Sequence, residues 1–200
     1  MALELEAKFA VESLARVAGR LRGLHAVPRP ARAEANIVYD TPERALLARG
    51  ELLRLRRTDK AVLTWKRPAP GEAVEGMKAM EEVETRVEDF EAMRAILNGL
   101  GYREALRYEK CRQVWTLPDA VVCLDLLPFG EFVEIEGTSQ SIAATAALLG
   151  LDMAAASART YHDLFRLHLA AHGLPEGDSF VFSPADDARV RAFLEEFQAR

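Results

Sequence analysis

The sequence predicts an α+β chain in which an antiparallel sheet, closed into a barrel, is flanked by helices. Three observations predict it. Short segments of strict apolar/charged alternation recur along residues 1–137, segments of helical period lie between them, and the pattern turns helical from residue 138 onward. With 200 residues, 50% of them hydrophobic, the chain is read as one domain over 1–200, with its barrel in 1–137 and a helical part in 138–200.

The first strand is Leu3-Glu4-Leu5-Glu6-Ala7-Lys8-Phe9, where period two puts Leu3, Leu5, Ala7 and Phe9 on one face and Glu4, Glu6 and Lys8 on the other. The alternation returns in Leu52-Leu53-Arg54-Leu55-Arg56, Val62-Leu63-Thr64-Trp65-Lys66, Glu82-Val83-Glu84 and Lys110-Cys111-Arg112, and segments 121–126 and 132–136 read as strands too. Seven strands are therefore visible.

Between them, segment 13–24 repeats Leu14, Val17, Ala18 and Leu21 at helical spacing. A second helix opens at Asp89 as N-cap, buries Phe90, Met93, Ile96, Leu97 and Leu100, and stops near Gly101. Helices follow over 139–149 and 158–172, and a last one begins after Ser183-Pro184, with Asp186 and Asp187 in its first turn. Segment 173–179, with Pro175 and Gly177, reads as a link. The final helix, rich in Phe193, Leu194 and Phe197, is expected to pack on the barrel rather than to form a lid.

A net charge of −5 gives no global basic field, so nucleic acid is not an expected partner, and an anionic ligand must be held by a local cluster of bases. Cys111 and Cys123 lack CxxC spacing, and no stretch resembles a signal peptide or a membrane span. These observations predict a cytoplasmic protein with free, buried thiols and no membrane partner.

A sheet with one solvated face would explain any single strand. It does not explain why charges of one sign sit together at i and i+2, only about 7 Å apart on one face. The sorted pairs are Glu4/Glu6, Arg54/Arg56, Glu82/Glu84, Lys110/Arg112 and Glu134/Glu136, with Lys8 and Lys66 extending the cationic set and Asp125 a candidate for the acidic one. If these faces turn into a barrel, desolvating about a dozen charges is prohibitive unless they are paired, hydrated or neutralised by bound ions. Paired carboxylates suit Mg²⁺ or Mn²⁺, which bridge to phosphates, and facing Lys and Arg would grip the remaining phosphate oxygens.

Read in order, Glu4-Leu5-Glu6-Ala7-Lys8, Tyr39-Asp40-Thr41-Pro42, Leu53-Arg54-Leu55-Arg56, Thr64-Trp65-Lys66, Glu82-Val83-Glu84, Lys110-Cys111-Arg112 and Glu134-Ile135-Glu136 resemble the CYTH family of triphosphate tunnel metalloenzymes over residues 3–164. The resemblance implies a closed eight-stranded antiparallel tunnel, two Mg²⁺ or Mn²⁺ ions, and hydrolysis of a small-molecule triphosphate: inorganic triphosphate, a nucleoside triphosphate or thiamine triphosphate. One branch cyclizes ATP. By position, Glu4, Glu6, Glu134, Glu136 and Asp125 match metal ligands, and Lys8, Arg54, Arg56, Lys66, Lys110 and Arg112 match phosphate-binding bases. Glu82 and Glu84, with Lys66 and Lys8, are the catalytic candidates, the two glutamates for a second ion or the attacking water.

Two departures matter. The family often has Arg two residues before the central Glu pair, where this chain has Met80, with Lys78 nearby. The His-Phe pair common near the N-terminus of the cyclase branch is not matched after Met1-Ala2, so hydrolysis is expected ahead of cyclization. No histidine-rich helical domain of the kind linked to polyphosphate is expected, and a homodimer is left open.

Other residues receive structural readings. Tyr39 is assigned to a strand end beside Asp40 and Pro42, and Trp65 and Trp115 to the outer barrel face under helices. His162, His168 and His172 are not assigned to a metal.

Overall fold

A computed structural model describes residues 2–70 and 75–198, with the side chains of Ala2 and Leu3 left undescribed, so the outer-face place expected for Leu3 lies outside it. The strands are β1 (Ala2–Val11), β2 (Val27–Pro28), β3 (Arg32–Asp40), β4 (Leu52–Arg57), β5 (Ala61–Pro68), β6 (Lys78–Val87), β7 (Arg103–Thr116), β8 (Ala120–Leu127) and β9 (Gly130–Gly137). The helices are α1 (Leu14–Gly23), α2 (Ala45–Ala48), α3 (Phe90–Gly99), α4 (Ser139–Leu148), α5 (Tyr161–Ala171) and α6 (Asp187–Glu196). None of them is long and apolar enough to cross a membrane.

Neighbouring strands run β7-β3-β4-β5-β6-β1-β9-β8, every pair antiparallel, and the further β7–β8 pairing closes these eight into a barrel. The two-residue β2 extends the edge of β7. Closure leaves no barrel strand with a free edge, which is how an all-antiparallel sheet of this size avoids edge pairing.

Two strands escaped the sequence pattern. In β3 the outward positions Ala33 and Ala35 are too small and too weakly β-forming to mark an apolar face, so the alternation that places Glu34, Asn36 and Val38 together reads faintly. In β2 only two residues pair. The segment around Lys110 is the middle of a strand of 14 residues.

The outer face is covered by two clusters. Leu14, Val17, Ala18 and Leu21 of α1, Ile142 and Ala146 of α4 and Phe193 of α6 pack over Phe9, Trp115, Val122 and Val133. Helices α2 and α3 cover Ile37, Tyr39, Leu53 and Leu55 with Leu46 and Leu97. Helix α6 is thus part of the outer wall, tied further by the Phe197 carbonyl, which accepts from the Ala31 amide and the Gln113 side chain. Trp115 is buried there, Trp65 stands half-buried in the second cluster, and both tryptophans share the outward parity of their strands.

A third apolar cluster closes one end of the barrel. Val38, Tyr108, Leu127 and Phe132 have the inward parity of their strands, and Tyr161, Leu164 and Phe165 of α5 pack onto them with Phe180. Phe180 is held by backbone bonds in both directions with β7, to Arg107 and from Glu109. The barrel is a cup, closed at this end and open at the other.

Candidate functional site

The inward positions of the eight strands place the sorted charges together. Pairing sets Lys8 opposite Glu134 and Glu6 opposite Glu136, Lys66 opposite Glu82, Thr64 opposite Glu84, Arg112 opposite Asp125, and Glu34 opposite Lys110. All the site residues expected from the sequence face this one lumen, and Glu34, Asn36, Thr64, Lys78, Cys123 and Tyr108 join them.

The charges are arranged in linked ion pairs. Lys8 bridges Glu6 and Glu134, 3.1 Å from the latter. Lys66 bridges Glu4 and Glu82, the second contact at 2.5 Å. Arg56 contacts Glu84 at 3.1 Å, and Thr64 donates to the same carboxylate at 3.0 Å. Arg54 donates to the Tyr108 hydroxyl and to Thr64 at 3.1 and 3.3 Å. Arg112 forks onto Asp125 at 2.7 and 2.5 Å and reaches Glu134 at 2.8 Å.

The two carboxylate groups differ. Asp125 is fully buried with its oxygens already engaged, by Arg112, by Lys110 at 3.2 Å and by the Tyr161 hydroxyl at 2.7 Å. Burial opposes its charge, but Arg112 and Lys110 hold it below the ordinary aspartate range. Glu134 behaves alike, held well down against burial by Arg112, Lys8 and Lys110. Glu136, by contrast, is pushed up to about 8 by burial and by the neighbouring charges of Glu134, Glu4 and Glu6, with only Arg112 opposing.

Glu4, Glu6 and Glu136 bring carboxylate oxygens within 4.8 Å of one another, and Cys123, Glu134 and Glu136 form a second set sharing Glu136. Three hard oxygens converging where like charges repel fit a divalent cation of the Mg²⁺ or Mn²⁺ type. Cys123 is buried, as expected, but it faces inward with its sulfur 3.8 Å from Glu136, whereas Cys111 sits in the outer cluster.

Glu4 and Glu136 lie toward the open mouth, where a cavity of about 1060 Å³ is lined by them, Glu82, Glu84 and the β7–β8 turn. The cations Lys8, Arg54 and Lys110 are buried, at 4%, 8% and 4% exposure, as are Glu6, Glu134 and Asp125 beside them, and Arg112 is half-buried. On the β3–β4 wall, Asn36 leaves both amide atoms, Glu34 one oxygen and Arg54 its Nε without a partner. Lys78, opposite Glu6, has its ammonium pulled below the ordinary lysine range by burial and by Lys8 and Lys66 despite the opposing charge of Glu6. It supplies a base near the place where Met80 offers none.

Outside the lumen, Tyr39 is buried at the end of β3, and the Asp40 carboxylate accepts from the amides of Thr41, Leu46 and Leu47, which fixes the turn into α2. His162 packs edge-on against Tyr108, while His168 of α5 packs against His172, which caps the helix's C-terminus.

A family model described as the CYTH domain matches residues 2–161. A Methanocaldococcus jannaschii protein named as a candidate adenylate cyclase is 27% identical over 142 residues, 70% of this chain and 79% of that protein. A candidate adenylate cyclase structure from Vibrio parahaemolyticus superimposes with TM-score 0.69 at 21% identity, covering 82% of this chain and 97% of the other. A candidate adenylyl cyclase of Hippeastrum, described as having a dominant triphosphatase activity, superimposes with TM-score 0.55 at 20% identity, covering 95% and 96%.

Proposed function

Because this chain belongs to the CYTH domain family, and its barrel sets a carboxylate cluster at an open mouth before an interior of ion-paired bases, we propose that it is a divalent-metal-dependent triphosphatase acting first on inorganic triphosphate. The observation that carries the reading is the layering of the lumen: Glu4, Glu82, Glu84 and Glu136 at the mouth, buried Lys8, Arg54 and Lys110 ion-paired or interleaved with Glu6, Glu134 and Asp125 further in, and an apolar closure behind. A linear polyphosphate inserted end-on meets Lys8, Lys110, Arg112, Arg54 and Arg56 along its length, and the closed end admits a chain terminus rather than a threaded polymer.

Glu4, Glu6 and Glu136 would hold the ion, with Glu134 beside them. When bound, a Mg²⁺ or Mn²⁺ ion there neutralises phosphate oxygens and lowers the pKa of a coordinated water. Lys66 and Lys8 exchange their carboxylate partners for phosphate oxygens and stabilise charge on the transferring and leaving groups. Glu82 and Glu84, on the mouth side, are placed to orient the attacking water or a second ion. Asp125 acts through Arg112 and Lys110, whose head groups it fixes. No covalent enzyme intermediate is needed.

The mouth cavity has room for an organic group on the triphosphate, and this favours a second reading, in which ATP or thiamine triphosphate is hydrolysed or ATP is cyclized. One panel of inorganic triphosphate, ATP and thiamine triphosphate with Mg²⁺ or Mn²⁺, with products identified, tests both. Diphosphate and phosphate from inorganic triphosphate at the highest kcat/KM support the first reading. Preferential release of cyclic AMP and diphosphate from ATP overturns it, and tight binding without turnover would make the chain a polyphosphate- or nucleotide-binding module.

A further inference from the structure

The sequence assigns the bases of the lumen but nothing on the helices to the site. Helix α5 nevertheless enters it. Thr160 caps the helix by accepting from the Asp163 amide, and Asp163 returns the bond to the Thr160 amide, so the first turn is fixed where it meets the closed end of the barrel. The strand-like segment before it is tied to β1 at Lys8 itself: the Lys8 amide donates to the Ser157 carbonyl at 3.1 Å, and the Ser157 amide to the Lys8 carbonyl at 2.8 Å.

The first residue of α5 is Tyr161, which is 8% exposed. Its ring centroid lies 5.4 Å from the Lys8 ammonium and 5.4 Å from that of Lys110, two bases from different strands. Its hydroxyl donates to Asp125 Oδ2 at 2.7 Å, the oxygen that also receives Arg112 and Lys110. Phe132 packs edge-on against the ring at 5.3 Å between centroids and fixes its plane.

A single tyrosine thus touches two lysines through its π-face and a third base, Arg112, through a shared carboxylate. Cation–π contacts within about 6 Å of a ring are attractive without consuming the ammonium's hydrogen-bond donors. Tyr161 can therefore hold Lys8 and Lys110 in place while their N–H groups turn from Glu6, Glu134 and Asp125 to a phosphate.

We propose that Tyr161 is a positioning residue that preorganises Lys8, Lys110 and Arg112 for the triphosphate. The proposal rests on the function proposed above and deepens it by assigning a helix residue to the same site. Tyr161→Phe keeps the ring and removes the hydroxyl, and Tyr161→Leu removes both.

Two readouts separate positioning from mere packing. Calorimetric titration of inorganic triphosphate in EDTA, where no turnover occurs, reads the bases alone, and steady-state phosphate release in Mg²⁺ reads the whole site. Tyr161→Phe is expected to weaken metal-free binding and lower kcat/KM by about tenfold, the scale of one hydrogen bond to a charged group, and Tyr161→Leu by more, with the Mg²⁺ concentration for half-maximal rate unchanged. In an Asp125→Asn background Tyr161→Phe should cost less than threefold further, because the hydroxyl acts through Asp125.

Wild-type-like binding and kcat/KM in Tyr161→Phe, or a full additional tenfold loss in the Asp125→Asn background, overturns the proposal. A wild-type protein that turns over no triphosphate yet binds inorganic triphosphate in a Tyr161-dependent way sinks the hydrolysis reading and leaves this one standing.

Discussion

Arg112 is the residue on which the charge balance of the lumen turns. Its guanidinium is paired with Asp125 at 2.5 Å and Glu134 at 2.8 Å and lies 4.0 Å from Glu136, all on the β8–β9 wall. Replacing it with methionine keeps much of the volume but leaves Asp125 and Glu134, both nearly inaccessible, facing Lys110 and Lys8 alone. Removing one partner of a buried pair costs about 3–5 kcal/mol, because the remaining charge stays desolvated. For a domain of this size that is a fall of about 10 °C in Tm.

The loss must depend on pH. Arg112 is the principal charge holding Asp125 and Glu134 below their ordinary values, which burial by itself would raise. In the native protein these depressed carboxylates contribute stability that is present above their unfolded pKa, near about 4, and is lost as pH falls through the lower folded values. In Arg112→Met their folded pKa values rise above the unfolded ones, so they oppose folding at neutral pH and cease to do so once protonated. Urea denaturation at pH 8 should show the full deficit, and at pH 5 less than half of it. A deficit below about 1 kcal/mol at pH 8, or one equal at both pH values, would refute the idea that the lumen is a mutually neutralised charge network.

Three further outcomes are expected. Glu136→Gln removes a carboxylate pushed up to about 8 by burial and by its carboxylate neighbours, so metal-free stability should stay level or rise while the Mg²⁺ concentration needed for activity increases at least tenfold, as an activity titration would show. His162, half-buried with its inaccessible Nε2 unpartnered, is pulled down to about 4 by desolvation; it is neutral when folded, so its protonation in the unfolded chain removes stability as pH falls from about 6.5 to 4, and His162→Phe should flatten that part of the stability profile by about 1–3 kcal/mol. Phe193→Ala should cost about 3–5 kcal/mol in denaturant while leaving kcat/KM within twofold, because α6 is outer wall and not a lid.

The sequence made the lumen legible because strand period and charge sign agree: Glu4/Glu6, Arg54/Arg56 and Glu134/Glu136 each mark one face, and closure of the sheet brings those faces together. The β3 wall was faint because Ala33 and Ala35 mask the alternation that places Glu34 and Asn36 inward. Tyr161 carried no signal at all, since a tyrosine opening a helix is ordinary, and only the docking of α5 on the barrel end turns it toward Lys8 and Lys110. Likewise Asp125 and Glu136 look equivalent as acidic residues at inward strand positions. Their surroundings differ, Asp125 being ringed by donors and Glu136 crowded by carboxylates, and only the closed barrel reveals that difference.

The proposed role of the lumen in metal-dependent triphosphate hydrolysis is tested most directly by phosphate release from inorganic triphosphate, measured with Mg²⁺, with Mn²⁺ and with EDTA, in the native protein and in Glu4→Ala and Arg56→Ala. Metal-dependent release that falls at least a hundredfold in each variant is the expected result. Release that persists in EDTA, or that survives undiminished in both variants, would contradict it.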